Sequence, residues 1–238
     1  MSCRYDVCIE YYTIVARDDE WNCSCAGGTV LQSTQCQPTE QHISQCISLV
    51  QTATDELRRS AYWNHVSETL QQQCPDMARR TMIVWGLGSL EQPGAYTIRC
   101  QLALALLLIE HQHMSAEMYD PVFTPLDKAV LCRVCDCVIP EHSDGARIID
   151  TPTLMYMPHC EADLTIRFLE INMTHGTLGN IVMIGNSLHE YRERCHLMGE
   201  GREVLSHLMS HHKEYPLPEL GFDCPGAFNN LSLHIFAS

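Results

Sequence analysis

TMIVWGLGSL, residues 81–90, is the stretch on which the fold turns. Thr81–Trp85 is a short, nearly continuous apolar run of strand length. Gly86-Leu87-Gly88-Ser89 breaks it, and after Pro93-Gly94 a long apolar helix is expected from Tyr96 to His113. Strand, glycine turn and helix form the opening of a βαβ unit.

Outward from that stretch, towards the carboxyl end, the alternation repeats. Glu117–Phe123 reads as a strand ending around Asp120-Pro121, and Thr124-Pro125 opens a helix through Leu131–Val134. Cys137–Pro140 and Thr153–Met157 are further strands, the second bounded by Pro158. Ala162–Ile171 reads as a helix, Asn180–Ile184 as a strand stopping at Gly185-Asn186-Ser187, and Leu188–Cys195 as another helix. A polar stretch rich in His and Pro, Ser206–Pro218, leads to a last strand at Leu231–Phe236. Towards the amino end, apolar residues recur at three- and four-residue steps from Glu40 to Gln73. That pattern predicts two helices joined near Ser60 and ended by Cys74-Pro75-Asp76, because proline cannot continue a helix. The expected organisation is a variable arm over 1–40, N-terminal helices over 41–80 and an α/β domain over 81–238. Strands that read as apolar runs and alternate with helices imply a doubly wound, mostly parallel, Rossmann-like sheet covered on both faces.

Charge narrows the partners. Fifteen Lys and Arg stand against 29 Asp and Glu, a net charge of −14, so the surface repels phosphate backbones and direct nucleic-acid binding is not expected. No 18-residue apolar stretch occurs, and residues 1–20 lack a basic segment followed by a long apolar one. No membrane association or secretion is expected, and the 14 cysteines are read as reduced thiols of a cytoplasmic chain. The Asn-x-Ser/Thr triplets at Asn22, Asn172 and Asn230 are then chance matches.

In an open parallel sheet, ligands bind outside the carboxyl ends of the strands. The first strand ends in Gly86, Gly88 and Ser89, where glycines let backbone N–H groups approach a phosphate or nucleoside; the alternative is a tight turn without a ligand. The second ends near Asp120, where an acidic residue holds ribose hydroxyls in nucleotide folds; the alternatives are a turn residue or a helix cap. The fourth ends in His159-Cys160, with His159 the cleft candidate and Cys160 directed to the core. The fifth ends in Gly185, Asn186 and Ser187, which offer close backbone approach and two polar side chains. Nucleotide, S-adenosylmethionine and haem are the cofactors compatible with these groups.

Other signals carry less. Cys132, Cys135 and Cys137 open like a zinc site but lack a second pair, and Cys132 and Cys135 are expected as buried thiols on a helix face. Cys23 and Cys25 stand alone, and no metal site is expected. His111, His113, His207, His211 and His212 read as solvated helix residues. Cys74-Pro75 and Cys224-Pro225 are dipeptides of the kind that ligate haem through a thiolate. No Gly-x-Ser-x-Gly elbow, phosphate-binding P-loop or His-Glu-x-x-His occurs.

Taken in order, several of these motifs resemble a known family. Trp85-Gly86-Leu87-Gly88-Ser89, the helix Arg99–Leu104, Tyr119–Phe123, Tyr156–Cys160, Ile184–Ser187 and Ala227–Phe236 are similar to the SRR-like domain, for sensitivity to red light reduced. Ser60–Trp63 matches its lead-in helix, and the likeness covers roughly residues 55–238. Trp85 stands where Tyr is commoner, and the first 50 residues have no counterpart. The resemblance implies a regulatory protein of the cytoplasm and nucleus that works through protein partners. Family members are linked to light signalling and the circadian clock in plants, to haem biosynthesis and clock gene expression in animals, and to microtubule phenotypes in yeast. It names no catalytic residue, so a regulator that senses a small ligand leads over an uncharacterised enzyme in the same cleft.

Overall fold

A computed structural model of the chain describes residues 37–76, 80–141, 145–194, 200–210 and 212–237. The expected arm, with Cys23, Cys25 and Asn22, lies almost wholly outside the described residues, as does His211.

Local chemistry sets the N-terminal elements. Thr39 caps α1 (Glu40–Arg58) by accepting from the His42 N–H. Ser60 closes that helix through a bond to the Leu57 carbonyl and opens α2 (Ala61–Gln73) by accepting from the Trp63 N–H. Strand β1 (Thr81–Trp85) runs into the glycine turn, and α3 (Ala95–Gln112) follows Gly94. Strand β2 (Ser115–Tyr119) leads to α4 (Pro125–Val134), β3 (Cys137–Val138) and β4 (Thr153–Met157). Helix α5 (Ala162–Thr174), β5 (Ile181–Asn186), α6 (Leu188–Arg194), α7 (Glu200–Ser210), β6 (His212–Pro216) and β7 (Leu231–Phe236) complete the described elements.

The seven strands form one sheet in the order β3-β2-β1-β4-β5-β7-β6. The first five are parallel, while β7 is antiparallel to both β5 and β6. Strand alternation divides the core into two layers. Met82, Val84, Leu154, Tyr156, Val182 and Leu233 pack under the layer that holds α1 to α4. Ile83, Trp85, Met155, Met183 and Phe236 pack under α5, α6 and α7. The chain is therefore an α/β Rossmann-like protein covered on both faces. No helix among the described residues is long and apolar enough to cross a membrane.

Three expectations need correction. Strand β2 starts at Ser115 rather than Glu117, and it stops just before Asp120-Pro121, as expected, because Asp120 bends the chain: its carbonyl accepts from Phe123 N–H and its side chain from Val122 N–H. The polar stretch Ser206–Pro218 contains the end of α7 and all of β6, which pairs along β7. Cys132 is exposed and Cys135 half-buried, since α4 turns Leu126, Asp127, Val130 and Leu131 inward.

Candidate functional site

The strand order reverses beside β1, with β2 on one side and β4 on the other, so the helices that follow β1 and β4 leave on opposite faces. Such a switch point opens a crevice at the carboxyl strand ends. Gly86 and Gly88 make the turn there with φ of +77° and +78°, a left-handed backbone that side chains disfavour. The Gly88 N–H donates to Asp120 Oδ2 at 2.8 Å and the Val122 N–H to Oδ1 at 3.0 Å. Asp120 thus ties the end of β2 to the glycine turn of β1. Ser89 is buried, its hydroxyl accepting from Glu91 N–H at 3.1 Å. Beside them stands Asp127, whose Oδ1 accepts from Leu90 N–H at 2.8 Å and Oδ2 from Thr124 N–H at 2.7 Å.

At the end of β4, His159 takes a left-handed φ of 53°. Its N–H donates to Asn186 Oδ1 at 3.3 Å, and its ring Nε2 lies 3.0 Å from the Ala227 carbonyl. A carbonyl only accepts, so Nε2 carries the proton. Cys160 points the other way, its buried Sγ 3.6 Å from the Trp85 carbonyl, and burial pushes its thiol up to about 12. Asn186 Nδ2 donates to the Cys160 carbonyl at 3.2 Å and to the Tyr191 hydroxyl at 2.9 Å. Gly185, near the end of β5, is paired with Met157 on one side and Ser232 on the other. Ser187 accepts from Glu190 N–H at 3.2 Å and starts α6.

The loop before β7 crosses this end of the sheet. Its Ala227 carbonyl accepts from Gln101 Nε2 of α3 at 3.1 Å as well as facing His159. Glu219 accepts from the Gly226 and Phe228 N–H groups, and Phe228 stacks on Tyr62 at 4.4 Å between ring centroids. Under the strand ends, buried Trp85 Nε1 and Tyr156 OH have no hydrogen-bond partner among the described residues. Next to the glycine turn, between Leu87, Gly88, Ile98 and Asp127, the gap measures only about 10 Å³. A groove of about 750 Å³ lies instead at the opposite end of β2, between α1, α3 and α4. Cys74 and Cys224 are buried, and burial is the chief cause that raises their thiols.

His212 departs from the expectation of a solvated helix residue. It starts edge strand β6, and alternation turns its side chain inward beside Glu214 and His234. Burial favours the neutral carboxyl at Glu214, but His212, His234, Ser187 and Ser232 more than offset this and hold it down at about 2. Burial pushes His234 down to about 4. Near neutral pH the carboxyl is ionised and His234 is neutral. The pattern Thr124-x-x-Asp127 was a legible sign of a capping box. Gln101, Tyr191, Glu219 and the His212 cluster are joined by long-range packing that no spacing in the sequence announces.

The profile described as the SRR1 domain matches residues 66–235. An SRR1-like protein of Drosophila melanogaster is 28% identical over 185 residues, covering 76% of this chain and 64% of the fly protein. Protein SENSITIVITY TO RED LIGHT REDUCED 1 of Arabidopsis thaliana is 28% identical over 163 residues, covering 66% of this chain and 58% of its own length. An SRR1-like protein of Mus musculus is 29% identical over 168 residues, covering 67% of each chain. The chain thus spans roughly three-fifths of the fly and plant proteins. Among solved structures it is similar in fold to the O-methyltransferase TomG of Streptomyces achromogenes, with a TM-score of 0.43 at 11% identity, over 87% of this chain and 94% of that one. The methyltransferase PaMTH1 of Podospora anserina also scores 0.43, at 9% identity, over 89% of this chain and all of its own.

Proposed function

The chain belongs to the SRR1 domain family, and from that premise we propose that it is a regulatory protein acting on circadian-clock and haem-pathway output. It works in the cytoplasm and nucleus through protein partners, and its strand-end crevice senses a small ligand. One observation carries the reading: the family match runs from α2 to β7 and so contains every strand-end motif, from Gly86 to the loop under His159. Packing alone does not demand Asp, His, Asn and Ser at four strand ends. The test is complementation of a plant lacking its SRR1 protein, read as rhythm period and response to red light. The chain is expected to restore both, and a folded His159→Ala/Asn186→Ala variant to fail. A wild-type chain that accumulates in the plant and restores neither overturns the proposal.

The left-handed Gly86 and Gly88 at the switch point favour a second reading, an enzyme that binds a nucleotide or S-adenosylmethionine in the same crevice. The Asp120 carboxylate bears on which ligand fits. It occupies the Gly88 N–H that a phosphate would need and places negative charge there. That charge repels a pyrophosphate but does not oppose a cationic ligand such as S-adenosylmethionine. Native mass spectrometry with S-adenosylmethionine, adenine and nicotinamide nucleotides, and hemin separates the cases. A stoichiometric S-adenosylmethionine adduct lost in Asp120→Ala supports this reading, and no adduct from any of them removes it.

A further inference from the structure

We propose that His212, Glu214 and His234 form a binding site for one divalent transition-metal ion of the zinc class, built into the antiparallel edge of the sheet. The register dictates the grouping. Glu214 and His234 are directly paired across β6 and β7, and His212 lies two residues before Glu214, on the same face. His212 Nε2 lies 3.5 Å from Glu214 Oε2, and His234 Nδ1 lies 3.8 Å from the same oxygen. One ligand atom from each residue falls within 4.8 Å of the others. Bonds of about 2.0–2.1 Å to a tetrahedral ion give ligand-to-ligand edges of about 3.4 Å, so three ligand atoms at this spacing need little movement to close on one ion.

Burial makes the grouping informative. The side chain of His234 is wholly buried, that of His212 is 2% exposed and that of Glu214 is 7% exposed. Neither ring nitrogen of either histidine, nor Glu214 Oε2, makes a well-formed hydrogen bond among the described residues, although Ser187 stands against Glu214 and the Gly185 and Asn186 backbone against His234. Buried polar atoms are ordinarily partnered, and one cation would account for three of these, one ligand atom from each residue. The rings of His212 and His234 are nearly parallel, 5.7 Å apart between centroids, so neither donates to the other. The remaining oxygen, Glu214 Oε1, accepts from Ser232 Oγ at 3.1 Å, the kind of outer contact that orients a metal-binding carboxylate. Two imidazoles and a carboxylate suit zinc and its neighbours better than calcium or magnesium. Three protein ligands leave a position open for water or a fourth ligand, and the exposed His189 ring stands 6.4 Å from that of His212.

The site abuts the strand-end motif without depending on it. Ser187 contacts Glu214, and the backbone of Gly185 and Asn186 faces the His234 ring. An ion here would tie β6 to β7 beside the end of β5.

The full chain, stripped with chelator and dialysed, is titrated with Co²⁺ while the visible d–d bands of a tetrahedral ion are followed. Saturation at one Co²⁺ per chain is expected, displaced by Zn²⁺. Glu214→Gln and His212→Gln, checked for folding by circular dichroism, are expected to lose the bands, and the exposed-residue control His207→Ala to keep them. Ser232→Ala is expected to weaken binding by roughly 10- to 100-fold. Because thiols compete for both ions, X-ray absorption of the zinc-loaded wild-type chain is the second measurement, and it stands even if a variant fails to fold. A shell of N and O neighbours at about 2.0–2.1 Å without sulfur at about 2.3 Å supports the site. Sulfur in that shell, absence of stoichiometric binding to the wild type, or unchanged binding in folded Glu214→Gln and His212→Gln overturns it.

Discussion

A Cβ added at Gly86 would overlap Cys160 Sγ, on a backbone already left-handed at φ +77°. The two penalties are separable because only one involves the sulfur. Gly86→Ala is expected to destabilise the protein by about 1–3 kcal/mol in urea unfolding. Adding Cys160→Ala should recover the steric part and leave the backbone part; full recovery or none would contradict this account. Cys160 also yields a pH prediction. Its thiol is raised to about 12 by burial, so the folded state favours the neutral form. That contribution to stability is complete below the ordinary thiol value of 9.0 and is lost as pH climbs from there towards about 12. At pH 8 the exposed Cys132 should be alkylated by iodoacetamide while Cys160 stays unmodified until the chain unfolds, as peptide mapping would show.

Between elements, the buried carboxylates do more than the surface ion pairs. Asp127 caps α4 reciprocally with Thr124 and also holds the Leu90 N–H after the glycine turn, so one side chain fixes a helix start and a crossover loop. Asp127→Ala leaves two N–H groups without partners and is expected to cost about 2–4 kcal/mol, against about 1 for Thr124→Ala, by chemical denaturation. Equal effects would mean that the Leu90 bond contributes nothing. The exposed pairs Arg58–Glu110 and Arg133–Glu40 join α1 to α3 and α4, but solvent screens them and they add little to that hold. Helix α1 is held by Val50, Ala53 and Leu57, which are buried in the core layer shared with α3.

At the scale of the whole molecule, that burial makes α1 part of the domain although it precedes the matched residues 66–235. A chain beginning at Ser60 uncovers the apolar side of α3 and is expected to lose cooperative thermal unfolding; a sharp melt near that of the full chain would show that α1 is dispensable. The sequence by itself determined the alternation of elements, the glycine turn after β1, the break at Ser60 and the family. These signals are local: apolar period, glycine, proline and cap residues act within a few positions of one another. Tertiary structure alone decided that β7 enters antiparallel between β5 and β6, because strand order is set by packing between segments far apart in the chain. It likewise decided that Asp120 ends on the Gly88 N–H and that His159 and Gln101 meet at the Ala227 carbonyl. The meeting of His212 and Glu214 with His234 has the same origin. The polar sequence of β6 reads as a loop until β7 supplies its partner, and the pairing then turns those side chains under α6 and α7, out of water.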